Sequence, residues 1–439
     1  MEDEKEEKPI IESSMSYIFL DKNGKEIESG ECKGTIDKEY LTIFPIFGNI
    51  LPFHLRDIIE VKAENYKIIL PMESKMKLIL SNLGLDFEDF LRVLINLRNE
   101  VMIKDLLMNE AIRKTDIEIE FVYYDENGIE KQKGAGKIRL YETGLVILPY
   151  ETDIFRISYS NILNISKKDY EIILNTDFGE KIFLRKMGTE FEPFLKTLSE
   201  IFNELQNKSV SHLKKLFPEI DSISLRKIAN LMKEGKAVKR VDIEAINKKV
   251  WLEIEKKILS TELSGSYKFL KEIARQEKVS IGFKRGLMSD LTGEYIWFLI
   301  PIYKPSEKYG NAIAMEATGE ESTGKATYFF RIVSRKDYLN YKSFEEIDKE
   351  ADNVIKKINQ CMIDINFRRE PIYIPDNKLE EPLYIKYKIA IRKIPSLRLL
   401  RNLYVGRVMH ISQEQWKKDV MDLLRFNVET LDDSIKWKK

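Results

Sequence analysis

The sequence predicts an α+β multidomain protein. Two small antiparallel β-barrels or sandwiches, each capped by a C-terminal helix, precede a helical connector and an α+β domain with an antiparallel meander. Three observations predict this. Residues 21–100 repeat, without a gap, 104 positions later, and about 25 of the 80 aligned residues are identical. Within each copy the apolar period changes from two to 3.6. After residue 262, four strand-like runs with short Gly- and Pro-containing connections lead into a long amphipathic helix.

The duplication is dense at turn and core positions. Asp21, Asn23, Gly24 and Glu26 fall on Asp125, Asn127, Gly128 and Glu130. Leu41, Ile43 and Pro45 fall on Leu145, Ile147 and Pro149. The run from Tyr66 to Leu70 falls on that from Tyr170 to Leu174. Each Asp-x-Asn-Gly predicts a hairpin turn, because Asn and Gly both accept positive φ. Runs at 41–44, 58–61, 66–70 and 78–80, with their counterparts, bring the count to six or seven strands per copy. Phe87, Phe90, Leu91, Leu94 and Leu97 then form a helical stripe, repeated as Phe191, Phe194, Leu195, Leu198 and Ile201. Thr189 and Glu192 have the spacing of a capping box. An apolar helix face needs a partner, so each helix is expected to close an open end of its strands.

This element order, with the duplication, resembles the pleckstrin-homology-like fold over residues 15–207. Lipid-binding members of that family grip inositol phosphates with Lys and Arg on the first hairpin. Here those turns carry Asp21, Asp125 and Glu126, so phosphoinositide binding is not expected. The family's other use, docking of a protein or peptide between the last strands and the helix, stays open.

The expected boundaries are a disordered acidic tail at 1–14, repeats at 15–112 and 113–207, a connector at 208–262 and the α+β domain at 263–439. In the connector, Asp221 and Ser222 precede the apolar set Leu225, Ile228, Ala229 and Met232, and Gly235 marks a stop. A second helix is expected to carry Ile243, Ile246, Val250, Ile254 and Ile258. In the last domain the expected strands are 279–283, 295–303, 311–317 and 326–333. The run from Tyr295 to Ile300 is apolar on both faces and reads as central. Ser343 and Glu346 frame a long helix burying Ile347, Ala351, Val354, Ile358, Met362 and Ile365. Extended runs at 372–374 and 384–391 follow, and a last helix starts near Ser412 and buries Trp416, Val420 and Leu423 or Leu424.

The 439 residues hold 72 basic and 72 acidic side chains, so no global field draws the chain to nucleic acid or membrane. Charged residues reach 33%, a composition seen in thermophiles. Two cysteines, far apart in sequence, make no disulfide framework. The acidic start is not a signal peptide, and the longest apolar run is too short for a transmembrane helix. Together these features suggest a cytoplasmic protein.

No catalytic, cofactor or metal residue is marked by motif. Gly319 to Lys325 matches a phosphate-binding loop in spacing, but Ala326 replaces the magnesium-binding Ser or Thr, and a strand follows instead of a helix. His54, His212 and His410 lie apart with no ligand spacing. The clearest anomaly is the stretch 382–413, which is basic and without Asp or Glu. Lys386, Lys388, Arg392, Lys393, Arg398 and Arg401 form the candidate contact for an anionic partner, with Lys386 and Lys388 sharing one face of an expected strand. The leading expectation is a non-catalytic binding or scaffold protein with a protein partner. The alternatives are a nucleic-acid-associated protein using residues 384–407, and an enzyme with a pocket in residues 263–439.

Overall fold

The computed structural model describes residues 9–106, 110–150, 152, 154–285, 294–304, 307–319, 326–381, 383–430 and 432–437. The first eight residues of the expected tail, and residues 320–325 of the phosphate-loop-like stretch, lie outside them. Two compact units are present. One holds residues 1–197 with 385–389, and the other holds 198–384 with 390–439.

In the first unit, repeat 1 is built from β1 (Ile11–Leu20), β2 (Glu26–Ile36), β3 (Tyr40–Pro45), β4 (Leu51–His54), β5 (Lys62–Glu64), β6 (Lys67–Pro71), β7 (Lys77–Ser81) and helix α1 (Phe87–Asp105). Repeat 2 follows with β8 (Ile112–Tyr124), β9 (Glu130–Tyr141), β10 (Gly144–Pro149), β11 (Phe155–Ser158), β12 (Ile162–Lys168), β13 (Glu171–Thr176), β14 (Lys181–Arg185) and α2 (Phe191–Leu216). The strand orders are β4-β3-β2-β1-β7-β6-β5 and β11-β10-β9-β8-β14-β13-β12, antiparallel throughout. The order is the same in both copies, and these sheets fit a pleckstrin-homology-like architecture. The first strand begins at Ile11, inside the stretch expected to be tail.

Turn chemistry explains why the copies coincide. Gly24 and Gly128, Gly84 and Gly188, and Asn82 and Lys186 each share positive φ at equivalent positions. Asp21 accepts the backbone N–H of Asn23 and Lys25 at 2.8 Å, and Asp125 does the same for Asn127 and Ile129. These Asx turns fix the first hairpin in both copies. Phe87, Phe90 and Leu94 of α1 are buried in one core with Tyr17, Ile36, Leu41, Leu70 and Leu80. Thr189 lies in the short 3-10 turn Gly188–Glu190 that precedes α2.

A buried arginine joins the two repeats. Arg139 on β9 donates to Glu100 on α1 and to Asp116 on β8, both at 2.7 Å. Its two carboxylate partners outweigh the cost of burial and hold the guanidinium charged. In turn Asp116, although partly buried, is held below the usual carboxylate range by Arg139.

The second unit contains α3 (Ser222–Leu231), β15 (Val238–Lys239), α4 (Arg240–Ile246), α5 (Lys248–Leu259), α6 (Ser264–Glu272), β16 (Ser280–Arg285), β17 (Glu294–Ile302), β18 (Ala312–Gly319), β19 (Ala326–Arg331), α7 (Arg335–Tyr338), α8 (Phe344–Asp364), α9 (Glu370–Tyr373), α10 (Ile385–Lys393), α11 (Pro395–Leu403), β20 (Tyr404–Met409) and α12 (Gln413–Glu429); α10 starts in the part assigned to the first unit. β15 to β20 form one antiparallel sheet in chain order. Helices α6 and α12 pack on one face, and α8 and α11 on the other. A single core joins Leu225, Ile243 and Trp251 of the connector helices to Phe298, Phe329 and Trp416.

Asp221 caps α3 at the Ser224 N–H, 2.8 Å, and Ser343 and Ser412 cap α8 and α12 as their sequences indicate. Two expectations are corrected, and one strand that the sequence did not indicate is present. The helix expected from Ile243 to Ile258 breaks at Asn247, whose extended backbone ends α4 while its side chain caps α5 at Lys249. The runs at 372–374 and 384–391 are the helices α9 and α10, not strands. Their β-branched and aromatic residues suggest strands, but Tyr387, Ile389 and Ala390 are buried on helical spacing. Finally, 404–409 is the sixth strand of the sheet.

Candidate functional site

The basic stretch does not survive as the strand face expected of it. Lys386 and Lys388 lie on a helix, about 200° apart around its axis. Lys388 is paired with Glu73 at 3.2 Å. Arg401 is committed to Asp376 and to the carbonyls of Pro371 and Ile374. Lys386 is exposed and lies 5.1 Å from the Tyr387 ring centroid. Arg392 and Lys393 are half-buried at the end of α10, and Arg398 is exposed on α11. The six cations therefore occupy two helices, and Lys388 and Arg401 among them are held by protein groups.

A different feature recurs in both repeats. The hairpin of β5 and β6 turns through two residues, Asn65 and Tyr66, with Glu64 paired to Lys67. The hairpin of β12 and β13 turns through Asp169 and Tyr170, with Lys168 paired to Glu171. All four turn residues have positive φ: 51° and 56° in repeat 1, 46° and 60° in repeat 2. Such two-residue turns match the twist of the strands, and they favour Asn-Gly. A tyrosine in the second position costs about 1–2 kcal/mol.

Both tyrosines are nonetheless in the open, 80% and 75% exposed. Each ring rests on the first residue of the capping helix: Tyr66 on Phe87 at 5.6 Å, Tyr170 on Phe191 at 5.5 Å. The result is an aromatic shelf between the last hairpin and the helix start. Strands β5 and β12, which carry the turns, are end strands of their sheets, so among the described residues one backbone edge of each has no strand partner in its sheet. Around the shelf the copies differ. Repeat 1 adds Leu85, fully exposed, where repeat 2 has Thr189. Repeat 2 adds Lys167, 5.0 Å from the Phe191 ring centroid and paired with Glu192. Sequence alignment placed the tyrosines together but read them as strand residues. Tyrosine is a strong strand former, and nothing local announces positive φ.

The second unit holds a small polar cleft. Glu262, Leu263, Gly265, Ser266, His410, Ile411, Ser412, Gln413 and Trp416 line a cavity of about 220 Å³. Behind it, Glu316 is almost fully buried. Its Oε1 lies 2.5 Å from His410 Nε2 and its Oε2 accepts from Thr327 Oγ1 at 2.9 Å. Thr327 Oγ1 accepts from Trp416 Nε1 at 3.0 Å, and the Trp416 ring stacks on the imidazole at 5.1 Å. Nearly a hundred residues separate Glu316 from His410, and only the sheet brings them together. Among the described residues no group of three or more His, Cys, Asp or Glu side chains is placed to hold a metal. No helix among them is long and apolar enough to cross a membrane. Both cysteines are buried and unbridged, and burial pushes the Cys32 thiol up to about 11.

No protein-family model matches the chain. No curated protein sequence matches it either. Among solved structures, a chain from the structure of the Spt16D Pob3N heterodimer is similar at 14% identity, over 38% of this chain and 85% of that chain, with a TM-score of 0.17. A likeness at that score bears on neither fold nor function.

Proposed function

We propose that this is a non-catalytic binding or scaffold protein, whose tandem pleckstrin-homology-like repeats recognise an extended segment of a protein partner. The observation that supports this reading is the aromatic shelf at the same place in both copies. Two copies that differ at about 55 of 80 aligned positions both keep an exposed tyrosine in a backbone conformation that disfavours it. Packing does not require it, because most of each side chain faces solvent. Strain kept at an exposed position is a mark of function. Tyrosine suits such a role, since it offers a large apolar surface, a hydroxyl and few rotatable bonds. The adjoining edge of β5 or β12 would supply main-chain hydrogen bonds to an extended segment.

The test separates recognition from folding. Tyr66→Gly and Tyr170→Gly each create the turn sequence that the geometry favours. The relieved strain and the lost ring contact, about 0.5–1.5 kcal/mol, nearly cancel, so stability is expected to stay within about 1 kcal/mol of the original. In affinity capture from the native cell extract, the double variant is expected to lose a partner that the unmodified protein retains. Retention of the same partner at full strength by the folded double variant would refute the proposal.

A further inference from the structure

We propose that the outer face of β2 and β3 in repeat 1, with the loop that leads to β4, is a docking surface for a basic amphipathic helix of a protein partner. It does not rest on the aromatic shelf.

The duplication supplies the case. In repeat 2 the strand register places Arg139, Val146 and Arg156 side by side on the outer face of β9, β10 and β11. Glu100 on α1 meets Arg139 at 2.7 Å. Glu110, beyond that helix, lies 3.2 Å from Arg156 and accepts the Thr143 N–H at 2.7 Å. The two glutamates bracket the row, and Val146 at its middle is fully buried. Leu148, one row along, and Ile154 are buried as well. Met102, Ile103 and Leu106, at the end of α1, are buried yet stand outside the repeat 1 core. The outer face of repeat 2 is therefore a seat for a helix.

Repeat 1 repeats the geometry with a more apolar and more exposed loop. Thr35, Thr42 and Pro52 form the equivalent row. Phe44 and Ile50, the counterparts of Leu148 and Ile154, are exposed, Ile50 at 59% against 5% for Ile154. Ile46 extends the apolar surface, and Phe47 is 90% exposed where repeat 2 has Glu151. The loop is held in place. The Ile46 N–H donates to the Glu31 carbonyl at 3.1 Å. Gly48 turns at a φ of 122°, and a Cβ there would stand 2.9 Å from the Glu28 carboxylate. An exposed apolar group with a polar rim marks an interaction surface.

Charge selects the partner. Lys33, across from Phe44, is paired with Glu12 at 2.7 Å. Glu28, which accepts from the Tyr17 hydroxyl, and exposed Glu31 lie on the strand beside the loop. Lys or Arg flanking the apolar stripe of an incoming helix would meet these carboxylates. The same carboxylates repel an anionic bilayer surface. The chain's own first eight residues hold five carboxylates and one apolar side chain, so they do not suit the surface.

Fluorescence anisotropy on the full chain tests this with two labelled synthetic helices, one of Leu and Lys in amphipathic order and one with Glu in place of Lys. The expected result is saturable binding of the Lys peptide, about tenfold or more tighter than the Glu peptide. Phe47→Asn combined with Ile50→Asn, both at exposed positions, should weaken that binding by about tenfold or more while circular dichroism reports an unchanged fold. Tyr66→Gly combined with Tyr170→Gly should leave it unchanged, so this surface and the shelf fail separately. No saturable binding, equal binding of the two peptides, or equal binding by the folded Phe47→Asn, Ile50→Asn variant would overturn the proposal. So would either of two results that the variant abolishes. Flotation with phosphatidylcholine–phosphatidylserine vesicles would assign the surface to a membrane, and self-association in sedimentation would assign it to a second copy.

Discussion

Tyr66 and Tyr170 show how a single residue can go against its local preferences and keep its place. Each stands at a position suited to glycine, is mostly exposed, and rests on a phenylalanine that begins the capping helix. Asp105, at the end of α1, goes against its surroundings in another way. Burial pushes its carboxyl up to about 6, and the nearby Arg56 and Lys104 offset that only in part. Its folded pKa lies above the unfolded value of about 3.9, so the folded state holds the proton longer. Its contribution is intact below pH about 4 and is lost as pH rises to about 6. Asp105→Asn should therefore remove a pH-dependent loss of roughly 3 kcal/mol. Urea denaturation of both proteins at pH 4 and pH 7 checks this: the variant's relative stability should be higher at pH 7 than at pH 4.

At the scale of elements, the bolt between α1 and β9 makes an opposite prediction. Asp116 is held below its usual range by Arg139, so its contribution is present above pH about 4 and fades on acidification. Arg139→Met should cost roughly 2–3 kcal/mol at neutral pH and flatten the acid limb of the stability curve, read by denaturation across pH 3–7. Elements with their own capping or turn chemistry were legible from sequence. The Asx turns at Asp21 and Asp125, the caps at Asp221, Ser343 and Ser412, and the meander from β16 to β19 stand where residue type and spacing put them. Elements whose residues favour one state while tertiary packing imposes another were not. α10 is rich in Ile and Tyr yet helical, and the break at Asn247 hides within a continuous apolar stripe. The turn at Tyr66 was legible as a repeat position and illegible as a turn. The pairing of Glu316 with His410 depends on strand order alone.

At the scale of the molecule, duplication serves as an internal comparison. The copies keep the same strand order, the same positive-φ turns and the same shelf, while the surroundings of the shelf have diverged. Exposed Leu85, two residues before Phe87, gives repeat 1 the more apolar surface, and Lys167 gives repeat 2 a charged one. Two sites on one chain gain from avidity when one partner reaches both, by about 10²–10⁴ over either alone. Each single Tyr→Gly variant should then weaken capture steeply, with the larger loss in repeat 1. The most direct measurement is photo-cross-linking in native extract from a benzoylphenylalanine placed at position 66, and separately at 170. Recruitment through both shelves requires the same protein to be captured from both positions, and no capture from a probe at exposed Arg398. Different proteins at the two positions, or equal capture from Arg398, would contradict a shared recognition role for the repeats.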